Sequence, residues 1–157
     1  MFLKYIIVFL ISMIPILELR FAVPFAVSMD LPYLPSLIIC IIGNMLPVPI
    51  IYLFARKFLV WGSRQKHIGN FCQKFLGKGE QAGRKIVAAT GKGGTFLALM
   101  LFVGIPLPGT GAWTGTLAAS LLDLGPKTTA AAVSLGVVMA GIIMLVTSGS
   151  VFHIIGI

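Results

Sequence analysis

The sequence predicts an all-α integral membrane protein. It is read as an inverted repeat, each half a re-entrant helical hairpin plus a transmembrane helix, with an amphipathic cytoplasmic linker between the halves. Three observations lead there. First, 58% of the residues are hydrophobic, the mean hydropathy is +1.04 and only 10% are charged, against about 25% charged in an average soluble domain. Second, the basic residues gather in one stretch. Third, the apolar blocks are broken twice, around Glu18-Leu19-Arg20 and around Pro106-Leu107-Pro108-Gly109.

Taken in order, Phe2 to Leu17 is apolar except for Lys4, Glu18 and Arg20 interrupt it, and Phe21 to Met29 resumes it. Residues 1–17 are read as retained, because no small-x-small cleavage site follows cleanly. Asp30, Pro32 and Pro35 make the next break. Leu31 to Ala55 carries no charge and exceeds the ~20 residues a spanning helix needs. Pro47 and Pro49 are expected to kink its end, since proline donates no backbone hydrogen bond.

Arg56 to Lys92 holds nine of the twelve basic residues and a single acid, Glu80, so it carries the entire net charge of +8. A basic island between apolar blocks marks a cytoplasmic loop, whose nearest partners are anionic lipid headgroups rather than nucleic acid. Trp61, Ile68, Phe71, Cys72, Phe75 and Leu76 recur near helical spacing, as on a helix lying at the membrane surface; an ordinary solvated connector is the alternative. Gly93 to Leu122 is uncharged and interrupted by Pro106, Pro108, Gly109 and Gly111. Asp123 and Pro126 end it, and Thr128 to Ile157 is uncharged again. The chain is thus one membrane domain over 1–157: repeat 1 at 1–55, linker at 56–92 and repeat 2 at 93–157.

A weak internal repeat supports that division. Ile14-Pro15 matches Ile105-Pro106, Asp30-Leu31-Pro32 matches Asp123-Leu124-Gly125-Pro126, and Gly43 matches Gly136. Each broken block is the length of two half-helices of roughly 18 Å, which suits a hairpin that enters and leaves on one side. A hairpin adds no crossing and the following span adds one, so the second half is inverted. With the linker cytoplasmic, both termini lie outside and the two hairpin tips meet near the midplane. The rival topology makes Phe2–Leu17 and Gly94–Ile105 full spans, for which both are short.

Glu18 and Arg20 are the first candidate site residues, because ionisable groups inside a membrane are retained where they bind, relay protons or pair. Arg20 has the fork geometry for a phosphate or carboxylate, and Glu18 is a candidate proton carrier. An internal ion pair fixing the hairpin tip, or a surface loop, remain the structural alternatives. Pro106-Leu107-Pro108-Gly109-Thr110-Gly111 cannot continue a regular helix. The amides of Thr110 to Trp113 are expected to be free for an anion at a helix N-terminus, with the Thr110 and Thr114 hydroxyls and the Trp113 ring beside them. A plain surface turn with Trp113 as anchor is the alternative. Asp30 and Asp123 read as helix caps, with a proton relay as the second option.

Pro15-Ile-Leu-Glu-Leu-Arg20 with Pro24, then Gly43-Asn44, Pro47-Val-Pro49 and Gly104-Ile-Pro-Leu-Pro-Gly-Thr-Gly-Ala-Trp-Thr-Gly115 resemble the putative small multidrug export protein family. That family is grouped with the DedA/VTT membrane-protein superfamily, whose members have paired re-entrant hairpins. The resemblance covers nearly the whole chain and implies transport or lipid translocation, with Glu18 and Arg20 standing for part of a functional set of acids and arginines. The second break departs from the superfamily in lacking an arginine. Walker, zincin, Gly-x-Ser-x-Gly and dinucleotide motifs are absent, so neither an enzyme nor a cofactor nor a metal is expected. The reading is a DedA-like, proton-coupled transporter or lipid translocase of the cytoplasmic (inner) membrane, moving an amphiphilic anion such as a lipid phosphate. Glu18, Arg20, Pro24, Pro106, Pro108, Gly109, Thr110, Gly111, Trp113 and Thr114 would bind it. Drug export and a non-transporting scaffold are the alternatives, and a homo-oligomer is compatible with any of them.

Overall fold

Residues 2–15, 17–65, 69–107 and 110–155 are described by the computed structural model. The first break divides α1 (Phe2–Met13) from α2 (Glu18–Ser28), and the two helices pack on each other. At 12 and 11 residues each is about 18 Å long or less, short of the ~30 Å hydrocarbon core. α3 (Tyr33–Met45) and α4 (Pro47–Gly62) follow almost without interruption. Their joint is Leu46, where Pro47 and Pro49, on either side of Val48, each remove a donor of the helical ladder.

In the second half α5 (Gly69–Gly104) is bent at Gly91, whose φ of 67° and ψ of 174° leave helical space. α6 (Ala112–Leu121) and α7 (Pro126–Ile155) complete the chain. α5 packs on both α6 and α7, as α1 packs on both α2 and α3. Two matched details recur at a spacing of 93 residues. A Cβ on Gly43 of α3 would stand 2.8 Å from the Phe9 carbonyl oxygen of α1, and one on Gly136 of α7 would stand 2.7 Å from the Met100 carbonyl oxygen of α5. Each glycine is therefore where two helices, α1 with α3 and α5 with α7, approach backbone to backbone.

The second matched detail corrects the capping expectation. Asp30 is not the N-cap of α3, which is Pro32, and Asp123 lies three residues before α7 begins at Pro126. They sit instead just past the C-terminal ends of α2 and α6, with φ of 57° and 56°. Asp30 N–H donates to Val27 O at 3.0 Å and Leu31 N–H to Ala26 O at 3.2 Å; Asp123 N–H donates to Ser120 O and Leu124 N–H to Ala119 O. This pair of backward bonds is the Schellman stop, which needs a left-handed residue and usually takes glycine. Aspartate fills it here because its short polar side chain tolerates that region.

All regular structure among the described residues is helical. Three stretches are long and apolar enough to cross a membrane: Tyr33–Gly62, Arg84–Gly104 and Pro126–Ser150. The buried core takes Val8 from α1, Leu19 and Val23 from α2, Val103 from α5 and Val133 and Val137 from α7. Phe2, Phe21, Ile50, Phe54, Leu107 and Val146 face outward, as expected of a chain solvated by lipid. The surface helix expected across Trp61 to Leu76 is divided by a turn: Trp61 belongs to α4 and Phe71 and Cys72 to α5. Phe71 is exposed and Cys72 buried, while Ile68 and the side chains of Phe75 and Leu76 lie outside the described residues.

Candidate functional site

The two breaks meet. Breaking a helix orphans the last carbonyls of the part before and the first amides of the part after. At the second break these are the carbonyls at the end of α5 and the amides at the start of α6. Glu18 and Arg20 at the first break serve the two sides separately.

Glu18 serves the amides. Its side chain is buried, with 4% exposure, and its Oε1 accepts the Trp113 N–H at 3.0 Å. The Ala112 amide also points at the carboxylate. A negative group at the first turn of α6 is favoured by the helix dipole as well as by the bonds. Glu18 takes φ of 49°, a conformation uncommon for a non-glycine residue. The geometry makes Gly111 obligatory: with φ of 145°, it lies against Glu18, and a Cβ there would collide with both carboxylate oxygens.

Arg20 serves the carbonyls. One guanidinium nitrogen donates to the Leu107 carbonyl, and the other donates to Thr110 Oγ1 at 2.7 Å. That hydroxyl sits 3.0 Å from Ile105 O and 2.9 Å from Leu107 O, so its own proton is spent on the carbonyls of the break itself, just past α5. Residues two apart do not share a helix face. The left-handed turn at Glu18 is what lets both side chains reach the opposite break.

Of the amides of Thr110 to Trp113, expected to await an anion, that of Thr110 donates to Leu107 O at 3.2 Å, and those of Ala112 and Trp113 are taken by the chain's own carboxylate. Beside them lies a cavity of about 10 Å³ lined by Glu18, Arg20, Asn44, Gly111, Ala112 and Val137 among others, room for one water molecule. Asn44 of α3 is 3% exposed, and its Oδ1 has no hydrogen-bond partner.

The other candidates fall as follows. Pro106 is half-buried within the break, and Thr114 Oγ1 reaches back to Gly111 O at 3.4 Å. The Trp113 indole Nε1 is buried without a partner. Pro108 and Gly109 lie outside the described residues. Pro24 faces away, lining an outer apolar groove with Ile11, Phe21 and Phe25. Asp30 and Asp123 lie beyond the far ends of α2 and α6, roughly 15 Å along each helix from the contact, so neither passes a proton directly to Glu18. The site also takes in Asn44 and the Leu107 carbonyl, which the candidate set lacks. Asn44 was visible as the one side-chain amide in the uncharged run 31–55. A backbone carbonyl leaves no such sign.

Among described His, Cys, Asp and Glu residues no group of three is placed to hold a metal. No curated protein and no solved structure matches the chain. The family model described as "Putative small multi-drug export protein" matches residues 18–143, from Glu18 through both breaks to α7, and the chain belongs to that family.

Proposed function

We propose that this member of the small multidrug export family is a proton-coupled membrane transporter whose latch is the Glu18 carboxylate on the α6 amides. The observation that carries the reading is that the chain's own buried acid fills the anion-binding end of α6. Protonation removes the charge that makes those hydrogen bonds strong. It thereby frees the amides for the anionic group of an amphiphilic substrate, such as a lipid phosphate, with Arg20 beside it to pair with the same group. The Glu18 carboxylate and the substrate anion then compete for the same amides, so that proton uptake and anion binding go together, which is a form of coupling.

The reading includes the topology of two re-entrant hairpins inverted about the midplane, a common plan for sites built from broken helices. The short α1, α2 and α6 support it, and so does the Gly91 bend, which divides α5 into two helical parts. It places residues 56–92 on the cytoplasmic side of the inner membrane, against anionic headgroups. Export of small amphiphilic drugs through the same latch is the nearest alternative. A non-transporting scaffold is favoured by one observation, the water-sized cavity, which would suit a static clamp.

Flux in proteoliposomes under an imposed pH gradient separates these readings, using a fluorescent phosphatidic acid and, in parallel, a lipophilic cationic dye. Wild-type flux of the anion should follow pH, and Glu18→Gln should remove that dependence. Wild-type pH dependence in Glu18→Gln would sink the coupling role. Arg20→Ala should impair the anion more than the dye; equal loss of both points to folding damage, and absence of any flux to the scaffold.

A further inference from the structure

The unpaired oxygen of Asn44 stands out. A buried acceptor without a donor is costly, about as much as a lost hydrogen bond, and such atoms are few in folded proteins. Asn44 Oδ1 is buried without a partner, and the residue lines the same small cavity as Glu18 and Arg20. What the oxygen lacks is a hydrogen-bond donor. An ionised Glu18 has none to give, since a carboxylate only accepts, whereas a protonated Glu18 gains one O–H.

We propose that the cavity is a proton-holding site in which the O–H of protonated Glu18 is accepted by Asn44 Oδ1, relayed by the one water molecule the cavity admits. The proton comes from bulk water and returns there; no covalent bond other than O–H is made or broken. The proposal rests on the reading that Glu18 takes up a proton, and it adds where the protonated carboxyl goes. In the ionised state Glu18 accepts from the Trp113 amide of α6. In the protonated state it donates toward Asn44 of α3. Proton uptake thus moves the carboxyl from one half of the chain's second break to the long helix of the first half. Asn44 is a positioning residue in this scheme, not the group that titrates.

The electrostatic surroundings of Glu18 are simple. Arg20, from its own helix, is the one charged residue among those lining the cavity; α3 contributes Asn44, α5 Val103, α6 Gly111's neighbour Ala112, and α7 Val137 and Ala140. A cation is a poor occupant next to the Arg20 guanidinium. Water suits the cavity better: with Glu18 ionised it donates to the carboxylate and accepts from Arg20, and with Glu18 protonated it accepts the carboxyl O–H and donates to Asn44. That gives it the two to four polar partners a buried water needs.

The test is infrared difference spectroscopy of the full chain in phosphatidylethanolamine–phosphatidylglycerol vesicles as pH is lowered. A protonated-carboxyl band should rise in the wild type and be missing in Glu18→Gln. In Asn44→Ala and in the volume-conserving Asn44→Leu, that band should move to higher frequency, reporting a lost hydrogen bond. Proton affinity should fall about tenfold, the worth of one hydrogen bond. Using both variants separates the lost acceptor from a packing defect. A Glu18 band with unchanged frequency and unchanged midpoint in both variants overturns the Asn44 role and leaves the coupling role standing. No Glu18 band in the wild type overturns both.

Discussion

At the scale of single residues, three positions carry the contact and each does so for a different reason. Glu18 brings charge to orphan amides, Arg20 brings donors to the Leu107 carbonyl and the Thr110 hydroxyl, and Gly111 supplies the absence of a side chain. The Gly111 requirement is the sharpest to check. In Gly111→Ala the new Cβ occupies carboxylate space at a φ that alanine rarely adopts, so the Glu18–Trp113 bond should open. Hydrogen–deuterium exchange at the Trp113 amide should then quicken by roughly tenfold or more, the loss of one charge-assisted bond. Gly77→Ala is the control, since nothing lies within 4 Å of a Cβ there; equal exchange in both variants would mean that Gly111 is not part of the contact. The charged half of this site was legible from sequence, because Glu18 and Arg20 stand out in an apolar chain. The amide half was legible as a place, the Pro-Gly break, but not as to its occupant. Nothing in the order of residues says that the anion at α6 comes from 95 positions earlier in the chain.

At the scale of elements, the glycine pair Gly43 and Gly136 sets how closely α1 approaches α3 and α5 approaches α7. Small residues at such crossings let backbones touch where the surrounding lipid supplies no hydrophobic drive. Gly43→Val and Gly136→Val should each lower thermal stability in detergent by several kcal/mol, as overpacking against a backbone carbonyl does. Gly149→Val, where a Cβ meets nothing, should leave it nearly unchanged. If the three variants melt alike, the crossings are not where the halves are held. The breaks and the long apolar runs could be read from composition and proline placement. The helix ends were harder. Asp30 and Asp123 look like N-caps in sequence because aspartate before Leu-Pro so often begins a helix. Their actual role, a left-handed stop, depends on backward bonds to carbonyls whose helix limits must be known first. The turn at residues 63–65 was likewise hidden, since the apolar spacing runs on across it.

At the scale of the whole molecule, the contact between the breaks joins the two halves, together with a buried bond from Ser120 Oγ to Tyr52 O at 2.9 Å. The Glu18–Trp113 and Arg20–Leu107 bonds span 95 and 87 residues, so they tie the first break to the second. For the proposed topology, single cysteines near residue 70, at the N-terminus and at the C-terminus, in a background without Cys40 and Cys72, should label from opposite sides. The linker position should react from the cytoplasmic side and both termini from the other. Reaction of the linker and the N-terminus from one side would reject the paired hairpins.

The central claim is that the contact between the breaks is held by ionised Glu18 and loosens when Glu18 takes a proton. It is therefore present at the higher pH and lost as pH falls through the Glu18 midpoint. The chain has two tryptophans, and one of them, Trp113, carries the amide in question. Trp61→Phe removes the other, which pairs with Phe58 well away from the site at a ring distance of 6.0 Å. The decisive measurement is the pH titration of Trp113 fluorescence in that background, in lipid vesicles, with Glu18 and with Glu18→Gln. The account predicts a single reversible transition that the glutamine variant abolishes. A transition that persists unchanged in Glu18→Gln, or a flat wild-type titration, would contradict it.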